Sequence, residues 1–171
     1  METFSKAVGI TIFIVVLFMF PMMYHAQKYD TVVQSYVTGV TNDFVEEVRS
    51  SGTLTQDMYS NFVADLNKSG NLYNIEMSYV TESVMPSYTN STINNVNTDL
   101  VRKVQIEDTT EDIMTDLFET TSHEFKMTKG NYFSVKVYNK NKTMFTRLQQ
   151  ILYSTDVSTK QIYATDGGTI R

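Results

Sequence analysis

The side chains that could do chemistry are few. His25 and His123 are the only imidazoles in the 171-residue chain, and there is no cysteine. A metal cage needs thiolates, imidazoles or carboxylates at short recurring intervals. No carboxylate stands at such a spacing from either histidine, so both read as solvated side chains. The absence of cysteine excludes a disulfide scaffold, zinc fingers and thiol catalysis together. It fits an exported bacterial domain better than a disulfide-stapled ectodomain.

Acidic pairs occur at Glu46-Glu47, Glu107-Asp108 and Glu111-Asp112. A calcium loop would alternate its acidic positions and close on a glutamate, and none of these does. Gly167-Gly168 lacks the lysine and following helix of a phosphate-binding loop. The serines have no glycine-elbow context, and covalent or acid–base catalysis needs a nucleophile or base beside an orienting partner. The 11 tyrosines could suggest a carbohydrate surface, but most fall on apolar faces and read as core. The chain is therefore expected to be no enzyme, with no catalytic residues, cofactor or metal. Its net charge of −5 lies wholly beyond residue 24, because Glu2 and Lys6 cancel. No basic stripe marks it for nucleic acid.

Interaction is what remains, and the longest pattern concerns lipid. Residues 7–24 contain no charged side chain. As a helix they would extend roughly 27 Å, close to the ~30 Å hydrocarbon core of a bilayer. The run ends in Phe20-Pro21-Met22-Met23-Tyr24-His25, which offers no small-x-small cleavage site. The expectation is an uncleaved signal-anchor over residues 1–24. Val8, Ile12, Val15, Val16 and Phe20 would face lipid, and Pro21 would bend the helix near the outer membrane face. Positive charge is nearly balanced across the run, with Lys6 before it and Lys28 after it. A lone N-terminal anchor with so short a leading tail is expected to leave residues 25–171 extracytoplasmic.

The helical pattern continues past the anchor. Val33, Val37, Val40, Phe44 and Val48 recur at three- and four-residue intervals through residues 27–49, a stripe that must pack against something. Ser50-Ser51-Gly52 supplies a stop. Thr55 is placed to cap a second helix with Met58, Tyr59, Phe62, Val63 and Leu66 on its apolar face, ended by Gly70. Tyr73, Ile75, Met77 and Tyr79 then alternate as a strand. Residues 81–99 read as a long exposed loop, and 101–106 as a second strand. A third helix opens at Thr109-Thr110-Glu111-Asp112 and would bury Ile113, Leu117 and Phe118. Residues 123–138 read as a hairpin turning at Gly130, with Phe133, Val135 and Val137 inward. Met144, Phe145, Leu148, Ile151 and Leu152 stripe a fourth helix, and 157–164 would form a last strand. The sum is an α+β domain: a long transmembrane-plus-amphipathic helix packed on a small antiparallel sheet.

An apolar N-terminal helix with a proline near its outer end, leading into an amphipathic helix and a small sheet, resembles the pilin and pseudopilin architecture. The TadE-like minor pilins of tight-adherence (Flp-type, type IV-related) pilus systems in Gram-positive bacteria are the nearer likeness. The residues that carry it are the apolar 8–20 core, the 34–48 helix and Gly52-x-Leu54-Thr55. They include also the helix Tyr59-x-x-Phe62-x-x-x-Leu66 closed by Gly70, the 130–135 strand, and Gly167-Gly168-x-Ile170. The resemblance implies a membrane-anchored minor pilin or assembly subunit of a pilus or secretion apparatus. It would pack through its helix against other pilin-like proteins or further copies of itself, and could enter a surface filament. The rival class is an anchored extracellular binding module, a sensor or adhesin domain with residues 81–99 and the tyrosines as its ligand surface.

Overall fold

The computed structural model describes residues 2–86, 101–154 and 162–171, and side-chain placement is described for 3–82, 105–154 and 162–171. One helix, α1 (Glu2–Ser51), occupies 50 residues and contains Pro21. At 1.5 Å per residue it is about 75 Å long. It stops at Gly52, whose φ of +70° is open to a residue without Cβ, and whose N–H bonds back to Val48 O at 2.9 Å. The apolar pattern dictates two different halves. Residues 7–24 carry no charge and are almost wholly exposed, while the stripe beyond them is buried on one side.

After α1 come β1 (Thr53–Thr55), α2 (Gln56–Asn67), β2 (Tyr73–Pro86) and β3 (Val101–Asp108). Then follow α3 (Thr110–Phe118), β4 (Glu124–Lys126), β5 (Tyr132–Asn139), α4 (Met144–Tyr153) and β6 (Tyr163–Thr169). The main sheet is antiparallel in the order β3-β2-β5-β6, and β1 pairs with β4 in a separate two-stranded ribbon. The fold is thus α+β, a long N-terminal apolar helix with small antiparallel sheets.

Helix caps follow the sequence. Thr55 Oγ1 accepts from Met58 N, and Thr109 forms a capping box with Asp112. Those bonds favour the ionised form of Asp112 and lower its pKa. Period two is equally legible in β5, where Phe133, Val135 and Val137 are fully buried and Tyr132 and Lys136 are exposed.

Five expectations need correction. Residues 81–86 are not loop but the far half of β2, paired with β3 from Thr81↔Ile106 to Pro86↔Val101, and the rest of the expected loop lies outside the described residues. Residues 123–138 do not form a hairpin. β4 pairs with β1 at Leu54↔Phe125, because Leu54 and Phe125 both bury there, while β5 pairs with β2 and β6. Phe118 is 45% exposed, having rotated past the Ile113–Leu117 face to meet the Tyr59 ring edge-on. The last strand begins at Tyr163 and runs through Gly167-Gly168, whereas 157–161 lie outside the described residues. The fifth is the largest: the apolar stripe of α4 is turned outward, with Met144, Ile151 and Leu152 exposed and Phe145 and Leu148 half-buried.

The core lies between α1 and the sheet. Val33, Val37, Phe44, Val45 and Val48 meet Phe133, Val135, Val137, Ala164 and Ile170, with Phe62 and Leu66 of α2 closing one flank. Phe44 and Phe62 stack at 4.1 Å between ring centroids. Strand β6 runs alongside α1 and in the same direction: Gln34 Oε1 accepts from Tyr163 N at 2.8 Å, and Arg49 Nε donates to Thr169 O at 3.1 Å. The Tyr163 end of the sheet is therefore the end nearer the exposed apolar half of α1.

Candidate functional site

Each chemistry-bearing side chain of the sequence sits in an ordinary setting. His25 stands on α1 with its ring edge-on to Tyr24, and His123 is an exposed turn residue with φ +50°, its Nδ1 3.1 Å from Leu117 O. Among the described residues no group of three or more His, Asp or Glu is arranged to hold a metal ion. Gly167-Gly168 has a packing role. A Cβ on Gly167 would meet Ser134 Cβ at 2.7 Å and Phe133 O at 2.9 Å, and one on Gly168 would meet the Arg49 guanidinium. That guanidinium also binds Glu46 at 3.0 Å, and Glu46 binds Arg171 at 2.6 Å, locking the end of α1 to the C-terminal strand.

The anchor residues and the stripe residues separate cleanly. Val8, Ile12, Val15, Val16 and Phe20 are exposed on the first half of α1. An 18-residue window of this helix has mean hydropathy 2.3 and none of it is buried in the molecule, so α1 is long and apolar enough to cross a membrane. Pro21 falls at the end of that segment without interrupting the helix. Val33, Val37, Phe44 and Val48 are buried and Val40 is half-buried, all against the chain's own sheet and α2. That stripe is consumed within the molecule. What α1 leaves open beyond residue 25 is the opposite side, including Val32, Ser35 and Gly39.

Two clefts flank this helix. A small one of about 110 Å³ between α1 and α2 is bordered by Asp43, Glu47, Asn61 and Asp65. A wider one of about 530 Å³ joins Tyr29 of α1 to Asn71, Asn141 and, on α4, Met144, Arg147 and Leu148. The second is built by asparagines. Asn139, 1% exposed, donates to Asn141 O at 2.6 Å and accepts from Ile162 N at 3.0 Å, while Asn141 accepts from Leu72 N at 2.9 Å. These bonds tie the ends of β2, β5 and β6 together and aim the chain into α4, whose first turn is capped by Thr143.

Asp30 is the residue that sequence reading missed. Burial between α1 and the Thr143 turn raises its carboxyl pKa above the ordinary range, with the Thr143 hydroxyl working in the opposite sense. Its Oδ2 is buried without a hydrogen-bond partner among the described residues. The signal was in the sequence, since Asp30 stands at i, i+3 and i+7 with Val33 and Val37 on the buried face. Comparison with known proteins adds no family: no family model, curated protein or solved structure matches the chain.

Proposed function

We propose that this chain is a membrane-anchored minor pilin or an assembly subunit of a pilus or secretion apparatus, with residues 25–171 outside the cell. The observation that carries this reading is the division of α1, exposed and apolar over residues 7–24, then built into an α+β domain as its spine. A helix of that kind holds the domain rigidly on whatever its apolar half joins. In a bilayer that half can meet lipid or the apolar helices of neighbouring subunits.

The test places a photo-crosslinking amino acid at Val8, Ile12, Val15 or Val16 of the full chain in its native membrane. Adducts to further copies, or to other chains with an N-terminal apolar helix, are expected at a helically spaced subset of the four. Their absence at all four, in a chain still membrane-bound, would remove the assembly reading and leave the anchored binding module, a sensor or adhesin domain. Replacing Val40 or Phe44 would be a poor test, because both pack in the domain's own core. Topology has its own check: protease added to intact cells should digest the chain beyond Lys28, and protection would overturn the outward orientation.

A further inference from the structure

Helix α4 is mounted with its apolar side outward. At 100° per residue, Met144, Leu148, Ile151 and Leu152 share about a 100° arc. Thr143 and Thr146, which are buried, stand on the other side. Ile151 is 73% exposed, and Tyr153 at the helix end is exposed as well. A short helix that buries threonine and presents isoleucine and leucine leaves Met144, Ile151 and Leu152 uncovered among the described residues, with Leu148 half-buried beside them.

Its position says what matches it. The Tyr163 end of the sheet, the Asn139–Asn141 turn and α4 all lie toward the exposed apolar half of α1. Asp30, beside Thr143, is six residues past Tyr24, or about 9 Å along the helix axis. Ala26 is 5% exposed only two residues past Tyr24, so the domain packs on α1 down to that level. The headgroup layer on each side of a bilayer is about 5–7 Å thick, and interfacial helices sink their apolar face about 5–10 Å into it. Lys140 and Arg147 flank the start of α4, where anionic phosphates would meet them. Tyr24 and Tyr29 add exposed aromatic rings along the same stretch of α1.

We propose that α4 is an interfacial helix whose Met144, Leu148, Ile151 and Leu152 lie in the outer headgroup layer of the membrane that holds the anchor. The domain is then seated on the lipid at two places, the α1 span and α4, which fixes its tilt and rotation. This rests on the anchor reading of residues 1–24.

The chain's lack of cysteine makes the experiment direct. Full-length Ile151→Cys, Ile12→Cys and Ser50→Cys variants, each carrying a fluorescent label, are reconstituted in phosphatidylcholine vesicles with about one quarter phosphatidylglycerol. Nitroxide phospholipid should quench the labels at 12 and 151 at least about threefold more than the label at 50, which iodide alone should reach. A label at 151 as open to iodide as the one at 50, with 12 in lipid, overturns the proposal. So does a label at 151 shielded from both quenchers, since a protein would then cover α4. A label at 12 open to iodide overturns the anchor reading itself and is distinguishable from either.

Discussion

The second half of α1 and helix α4 carry the same kind of pattern and meet opposite fates. Both repeat apolar residues at three- and four-residue intervals. On α1 the stripe from Val33 to Val48 disappears against β5, β6 and α2, while on α4 the stripe from Met144 to Leu152 faces out and Thr146 is fully buried. Each buried Val or Phe contributes about 1.5–3 kcal/mol by leaving water. Helix α1 takes that contribution inside the domain, and α4 leaves it for a surface outside the domain. Amphipathic spacing therefore shows that a face will be covered, without showing what covers it.

The sharpest way to break the contrast is to place a charge on each helix. Val37→Asp buries a carboxylate in a fully enclosed site and should cost about 4 kcal/mol or more, abolishing the cooperative melt in detergent. Ile151→Asp should move the same melt by no more than about 0.5 kcal/mol, because its site is open. Equal losses would show that α4 is part of the core.

A second comparison removes volume. Phe44→Ala deletes the ring stacked on Phe62 and should destabilise by about 3–5 kcal/mol in chemical denaturation. Met144→Ala on α4 should fall within about 0.5 kcal/mol of the parent.

The contact of α1 with β6 can be probed from the strand. Gly167→Ala drives a methyl into Ser134 and the Phe133 backbone and should cost about 1–3 kcal/mol. Gly168→Ala first meets the movable end of Arg49, so its loss should be smaller, at the expense of the bonds to Thr169 O and Glu46. Thermal melts of the two variants rank them, and a reversed order would contradict this packing.

The smallest effect lies where the two helices meet. Burial raises the folded-state pKa of Asp30, so the native state favours the protonated form. The carboxyl is harmless to stability below its unfolded pKa and becomes costly as pH rises through the higher folded value. Asp30→Asn should therefore melt slightly above the parent at neutral pH, with the gap closing in acid. A gap that widened in acid would mean Asp30 is stabilising as an anion.

Local signals were legible where neighbours in sequence supply the physics. Thr55 and Thr109 cap helices through bonds spanning three residues, Gly52 stops α1 through its own φ, and β5 alternates by pleat geometry. Pairings over long separations were not legible. The β1–β4 ribbon joins residues about seventy apart, and nothing in Thr53-Leu54-Thr55 names Phe125 as the partner. Strand β2 outlasts its hydrophobic alternation because β3 supplies a backbone ladder as far as Pro86. Phe118 is as apolar as its neighbours Ile113 and Leu117, yet only the face of α3 that carries those two is enclosed.

The sequence by itself determined the long apolar helix, the spine stripe, the helix ends and the α+β class, because period, caps and charge-free length act along the chain. Tertiary structure decided that the stripe is enclosed by the chain's own sheet, that Gly167 and Gly168 are narrow to admit β5 and Arg49, and that Asp30 Oδ2 is buried. It also decided that α4 turns its apolar face outward beside the exposed half of α1. Those outcomes depend on which surfaces meet in space, and burial is a property of the neighbours as much as of the residue.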